Sequence, residues 1–418
     1  MQISHVAAVL IWAISLASIF CMLVRPRGIA EAYWMCAGAA ILVATRLIPL
    51  GQAGHAVYEG LDVYLFLAGM MILAELAREE HVFDWMAGFA ARHAKNSGER
   101  LFALIYGVGI IVTALFSNDA TAVVLTPAVL AVVRRAKVEP KPYLFACAFI
   151  ANAASFIFPI SNPANLVVFN RDIPPLTKWL GIFWLPSCIS VLLTFLYLRW
   201  VSRKSLAVRI QNAGEAGTLF TEGKLALAGL IVAGIALIAS SAFGLPLGAP
   251  TCCAAFFALA IVTVRDRSIL WRVAKGVSWS VLPLVAGLFV IVEALQSAGL
   301  LRAGLAGLQM LAQQSVWIGK LLAAFAVALL SNGMNNLPVG LLSGAAIQHA
   351  RETGVMAHAI LIGVDLGPNL SVTGSLATIL WLIALRREKI EISAWEFLKV
   401  GAIAMPIALI GSVLVLSK

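Results

Sequence analysis

Apolar runs of about 20 residues, the length a helix needs to cross a bilayer, follow one another from end to end of this sequence. In lipid every backbone amide needs a partner within its own segment, so such runs fold as helices. The chain has 418 residues, of which 61% are hydrophobic and 12% charged, about half the charge of a soluble domain. No stretch remains that is long enough for a soluble domain of ordinary size. The first run, Val6 to Val24, has no Lys or Arg before it and no small-x-small cleavage site. Arg25 and Arg27 follow it directly, so it reads as a retained first span.

The pattern predicts spans over 4–24, 29–49, 61–78, 143–169, 178–199, 224–243, 248–264, 279–296, 357–386 and 395–416. Residues 101–135 and 317–349 differ, because each holds two short apolar arms joined by a polar cluster. An arm of about 15 residues covers only part of the hydrocarbon core, so each pair reads as a re-entrant hairpin. Three spans, a short amphipathic connector (82–99, then 300–314), a hairpin, an interrupted span and a closing span occur in that order twice. Each half crosses an odd number of times, so the second half enters from the opposite side, as in secondary transporters. The expected fold is an all-α polytopic membrane protein of about ten transmembrane helices plus two re-entrant hairpins in two inverted repeats. The first repeat is 1–202, with hairpin 101–135 and broken helix 143–169. A cytoplasmic linker occupies 203–222, and the second repeat is 223–418, with hairpin 317–349 and broken helix 357–386.

Placing the N-terminus outside puts 23 of the 30 Lys and Arg in cytoplasmic segments. Positive charge concentrates on that side of a membrane, so this orientation is the expected one. The net charge of +10 is therefore a topology signal, and no run of five or six like charges suggests a nucleic-acid-binding tail. The six cysteines lie mostly within apolar runs without CxxC spacing, which reads as small hydrophobes in a membrane core.

Four polar islands interrupt the apolar sequence: Ser117-Asn118-Asp119, Pro159 to Asn165, Ser331 to Asn336, and Asp365 to Ser375. The two within spans carry Pro159, Pro163, Gly367, Pro368 and Gly374. Proline removes a backbone donor, and glycine permits the backbone angles of a break. Non-helical backbone at membrane depth survives where protein or a water-filled cavity satisfies it, leaving carbonyls and helix ends to bind solute or ion. The candidate solute-binding residues are Ser117, Asn118, Asn162, Asn165, Ser331, Asn332, Asn335, Asn336, Asn369, Ser371 and Thr373. Capping and helix-to-helix bonding use the same side chains, and the sequence does not sort the two roles.

Asp119 and Asp365 are the sharpest individual positions. A carboxylate at the bilayer centre costs about 2.5–3.5 kcal/mol on insertion scales, so one placed there usually has a function. Burial without a counter-charge favours the neutral acid, which suits reversible protonation. Both are expected to serve proton coupling, although Asp119 also suits N-capping of the second hairpin arm. Glu75 and Glu293 occupy equivalent places late in equivalent spans and form a second tier.

No GxxxxGK[ST], HExxH or dinucleotide fingerprint occurs, and the six His are scattered. An enzyme is not expected, nor a metal or other cofactor; the expected driving force is the proton gradient.

The strings FSNDATAVVLTP (116–127), ANAASFIFPISNPANLVVF (151–169), LSNGMNNLPVG (330–340) and GVDLGPNLSVTGSLATILW (363–381) resemble those of the arsenite efflux permeases, the ArsB family of the ion transporter superfamily. The resemblance covers essentially the whole chain and implies export of arsenite and antimonite from cytoplasm to periplasm in exchange for protons. It implies a multi-pass protein of the bacterial inner membrane with a periplasmic N-terminus, in some members assisted by a cytoplasmic ATPase subunit. It also implies a scaffold and an elevator-like moving part made of both hairpins and both interrupted spans. Arsenous acid is small, neutral and polyhydroxyl, so amides and hydroxyls can replace its water shell without a counter-charge. No Arg or Lys lies in any island, which argues against organic dianions. A sodium/proton antiporter of the same superfamily is the alternative, since oxygens around one carboxylate also suit a hard cation.

Overall fold

The computed structural model describes residues 4–169, 173–210, 219–299, 304, 306, 307, 310, 311, 313–350 and 354–416. Among these there is no strand, only an isolated antiparallel bridge between Ser97 and Arg209. Seven helices, counting Ser268–Ser297 as one, are long and apolar enough to cross a membrane, or eight if the pair Leu50–Glu59 and Leu61–Glu79, bent by 47°, also counts as one. The count falls below ten because each interrupted span divides into short pieces, while Glu31–Ala44 and Gly248–Thr263 are short apolar helices.

The helices His5–Val24, Glu31–Ala44 and Leu61–Glu79 form one outer group with Thr221–Ala242, Gly248–Thr263 and Val281–Ser297. Their packing exchanges the two halves. Leu61–Glu79 lies on Gly248–Thr263, and Val281–Ser297 lies on Glu31–Ala44. Without a hydrophobic drive between helices in lipid, small residues that allow close backbone approach carry such contacts. A Cβ on Gly69 would lie 2.7 Å from the Thr251 carbonyl carbon, and one on Gly287 would lie 2.9 Å from that of Met35.

Two short helices, Leu50–Glu59 and Ser268–Gly276, precede the third span of each half and lay outside the expected elements. Each packs on the other half's third span. The 82–99 connector contains the helix Val82–His93. Most of the 300–314 connector and residues 211–218 of the linker lie outside the described residues.

The second group contains the hairpins, the interrupted spans and the closing helices Leu176–Val201 and Ala394–Leu414. The hairpin arms are longer than the sequence predicts. The incoming arms Gly98–Leu115 and Val316–Met334 have 18 and 19 residues, enough by length to cross. Each incoming arm lies on the first piece of its own half's interrupted span, Lys141–Ala153 or Val355–Leu366. The piece after each break crosses over. Pro163–Phe169 packs on the outgoing arm Asn336–Ala350, and Leu376–Arg387 packs on residues 118–135. The two closing helices pack on each other, with Ser412 Oγ donating to Pro186 O at 3.0 Å.

Candidate functional site

Both hairpin tips turn at a non-glycine residue with positive φ. Ser117 has φ 151° and Asn335 has φ 74°. Side chains disfavour this region, and such residues persist only where the surroundings fix them. Ser117 Oγ accepts from Ala120 N at 3.3 Å and so caps the outgoing arm. Asp119 is therefore not the cap; it is half-buried, with no ion pair among the described residues. Thr113 and Thr121 share a hydroxyl hydrogen bond of 2.8 Å across the tip. At the second tip, Asn335 Oδ1 accepts from Leu337 N at 3.3 Å, and Asn336 N donates to Gly374 O at 2.8 Å.

In the first interrupted span the helix ends at Ala153 and resumes at Pro163. Asn165 Nδ2 fastens the loop between by donating to Ser155 O at 2.9 Å and to Phe158 O and Pro159 O at 3.3 Å. Ser161 Oγ donates to Ala114 O at 3.0 Å, joining the break to the first hairpin tip. Asn162 Oδ1 accepts from Ala164 N at 3.0 Å, in the manner of a helix cap. In the second interrupted span Ser375 caps the resuming helix by accepting from Thr378 N at 3.1 Å.

Two side-chain bonds join the breaks to each other across the halves. Asn162 Nδ2 donates to Asp365 Oδ1 at 2.7 Å, and Asn152 Nδ2 donates to Asn369 Oδ1 at 2.9 Å. Asn369 Nδ2 is itself used, donating to Phe149 O at 3.1 Å. All four residues are buried, and Asp365 has no exposed surface. Asn152 was not among the sequence candidates. It lies inside an unbroken apolar helix, so only its spacing from the break could have flagged it.

The remaining candidates around the second tip are occupied by protein. Asn332 Nδ2 donates to Ala328 O at 2.7 Å and Gly367 O at 2.9 Å, while its Oδ1 accepts from Ser371 Oγ at 2.6 Å. Thr373 Oγ1 donates to Asn332 O at 2.8 Å, and Ser331 Oγ donates to Val327 O at 2.9 Å. Asn332 thus fastens the second hairpin to the second break.

The buried side-chain atoms left without a partner in and beside these islands are acceptors. Asn118 Oδ1, Asn152 Oδ1, Asn165 Oδ1 and Asp365 Oδ2 are buried and meet no hydrogen-bond donor. A buried polar atom without a partner costs about 1–3 kcal/mol, so four in one set of connected islands call for an explanation. All four are acceptors, and among the described residues no Lys or Arg is bonded to any island. Open acceptors of this kind suit a ligand that donates hydrogen bonds and disfavour an anion.

Glu75 and Glu293 lie in the outer group and have partners. Arg78 donates to Glu75 Oε2 at 2.9 Å, and Gln52 Nε2 donates to Glu293 Oε1 at 2.6 Å. Among the described residues no group of His, Cys, Asp and Glu is arranged to hold a metal ion.

Residues 7–364 match the family described as CitMHS, citrate transporter. An arsenical pump membrane protein of Escherichia coli is 26% identical over 409 residues, covering 94% of this chain and 94% of that protein. One from Yersinia enterocolitica is 27% identical over 397 residues, covering 91% of each. Among solved structures, the Alcanivorax borkumensis YdaH transporter superposes with a TM-score of 0.60 at 15% identity, covering 92% of this chain and 96% of that one. The Neisseria gonorrhoeae MtrF structure superposes at 0.52 with 13% identity, covering 87% and 82%. These two likenesses bear on the fold alone.

Proposed function

The chain belongs to the CitMHS transporter family, and from that premise we propose that it exports arsenite and antimonite across the inner membrane in exchange for protons. The observation that carries this reading is the set of four buried acceptors without a bonded donor, Asn118 Oδ1, Asn152 Oδ1, Asn165 Oδ1 and Asp365 Oδ2. Arsenous acid offers hydroxyl donors on a small neutral core. Citrate and other organic anions offer acceptors and negative charge, which these acceptors disfavour. The names of the relatives from Escherichia coli and Yersinia enterocolitica point the same way.

Asp365 supplies the coupling. Its Oδ1 is held by Asn162, Ser155 lies within reach of the carboxyl, and its Oδ2 has no bonded donor, so it can accept a solute hydroxyl or a proton. Solute and proton then compete for one oxygen, which is what an exchanger needs. Asp119, half-buried beside the first tip, is the second proton-carrying group. The exchanged packing of the two halves supports an inverted repeat, 1–202 against 223–418, with an N-terminus on the periplasmic side. The hairpins and interrupted spans move together as the carrying part, elevator-fashion.

Arsenite accumulation in everted membrane vesicles tests the reading. A proton gradient is expected to drive uptake, and a sodium gradient is expected to add nothing. Uptake that is absent, or indifferent to the proton gradient, overturns it.

A further inference from the structure

A strongly basic surface forms where the first hairpin begins and the first closing helix ends. The segments 92–100 and 199–210 are far apart in sequence but joined by backbone. Ser97 and Arg209 form an antiparallel bridge, Gly98 N donates to Val208 O at 3.1 Å, and Ile210 N donates to Asn96 O at 3.1 Å. Gly98 makes the approach possible, since a Cβ there would lie 2.6 Å from Leu206 O. The junction gathers Arg92, Lys95, Arg100, Arg199, Arg203, Lys204 and Arg209, all exposed. Glu99 is the one acid in the two segments, and it pairs with Arg199 at 3.0 Å.

The patch sits at the end of a membrane-crossing helix, Leu176–Val201. Trp200 is 58% exposed beside it, with Arg203 5.7 Å over the indole ring, and Val201 and Val208 are also exposed. Indole favours the headgroup level of a bilayer, and clustered Lys and Arg just beyond a span attract anionic headgroups. Another basic loop, around residues 265–275, also has an exposed indole, Trp271, with Lys275 4.9 Å over its ring, but more acids stand among its cations. There Arg272 is bonded to Asp266 and Glu79, and Arg78 to Glu75 and Glu79, whereas the junction holds the single acid Glu99.

We propose that the junction of segments 92–100 and 199–210 is a binding site for an anionic phospholipid headgroup, with Trp200 placed among the acyl-proximal carbons and Arg203, Lys204 and Arg209 on the phosphate. The occupant is a lipid because cations, an interfacial indole and exposed valines stand side by side at the mouth of a span. A soluble acidic protein would have no use for the apolar edge. The site does not depend on the identity of the transported solute.

Native mass spectrometry of the purified full-length protein, titrated with short-chain phosphatidylglycerol or phosphatidylcholine, tests this. Phosphatidylglycerol is expected to bind in preference. The triple variant Arg203→Gln, Lys204→Gln, Arg209→Gln is expected to lower that binding about tenfold or more. The control variant Arg27→Gln, Arg135→Gln, Lys137→Gln, which removes equal charge at exposed positions away from the junction, is expected to bind as the parent does. Melting curves establish that both variants are folded. Equal binding of the two lipids, or a triple variant that binds like the control, overturns the site. Inorganic phosphate that displaces phosphatidylglycerol at equal concentration would also overturn it, by showing an anion site without a lipid component. So would a bound acidic protein that saturates the patch while phosphatidylglycerol does not bind.

Discussion

At the residue scale the islands divide their labour between fastening and binding, and two substitutions separate the roles. Asn332 makes three side-chain hydrogen bonds to Ala328, Gly367 and Ser371. At about 1 kcal/mol each, Asn332→Ala is expected to cost about 3 kcal/mol, seen as a lower melting temperature of the purified protein. Asn152 makes one bond, to Asn369, and leaves its Oδ1 unmatched. Asn152→Ala is therefore expected to weaken solute affinity while changing the melting temperature much less. Equal stability losses in the two variants would argue that both only fasten helices. For Asp365 the expected signature is in pH. Asp365→Asn keeps an oxygen for the solute but cannot release a proton. Arsenite exchange should fall about tenfold or more, the range by which a positioned proton-transfer group acts, and the residual flux should lose its dependence on external pH. Flux in that variant that still follows pH would shift the coupling to Asp119.

At the element scale the crossing-over of the interrupted spans makes a sharp demand on Gly344. A Cβ there would lie 2.5 Å from Val167 O and 2.7 Å from Val168 O, both backbone atoms that cannot swing aside. Gly344→Val is expected to push Pro163–Phe169 off Asn336–Ala350, at about 1–3 kcal/mol for an overpacked contact. Lower yield and earlier melting in detergent would register it, whereas Gly107→Val, with open space around its Cβ, should be tolerated. The sequence showed that these two elements exist but not that they meet. Pro159, Pro163, Gly367 and Pro368 mark breaks because they act on their own backbone, so the interrupted spans were legible. Which hairpin lies on which break depends on contacts between residues more than 150 positions apart, such as Asn162 with Asp365, and single-sequence periodicity carries none of that. The short helices Leu50–Glu59 and Ser268–Gly276 escaped for another reason. They are amphipathic and lie beside spans, so hydropathy alone merges them with loops. Capping was legible only as a chemical type: the sequence pointed to Asp119 as the cap of the outgoing arm, and the backbone places Ser117 there instead.

At the scale of the whole molecule the two groups of helices meet across a seam of unusual composition. On one side stand Met22, Glu31, Leu284 and Leu288, and on the other Asn335, Leu337, Pro338 and Leu376, around a small, mostly apolar crevice. The strong polar ties lie within each group: Gln52 to Glu293 and Asp62 to Gly248 N in one, Asn162 to Asp365, Arg134 to Glu388 and Ser412 to Pro186 O in the other. Among the described residues no ion pair joins the two groups. An interface of aliphatic contacts resists sliding weakly, because one set of dispersion contacts replaces another without stranding a polar atom. A rigid carrying part moving past a fixed part is the motion such a seam permits. A Cys pair at Leu288 and Leu337, in a chain whose six native cysteines are replaced, should therefore stop arsenite uptake by everted vesicles once oxidised, and a reductant should restore it. The reduced pair should transport as the cysteine-free parent does, which separates the cross-link from the effect of the substitutions themselves. Transport that continues at full cross-linking would mean that the two groups do not slide, and that access alternates through opening of a hairpin tip at Ser117 or Asn335 instead.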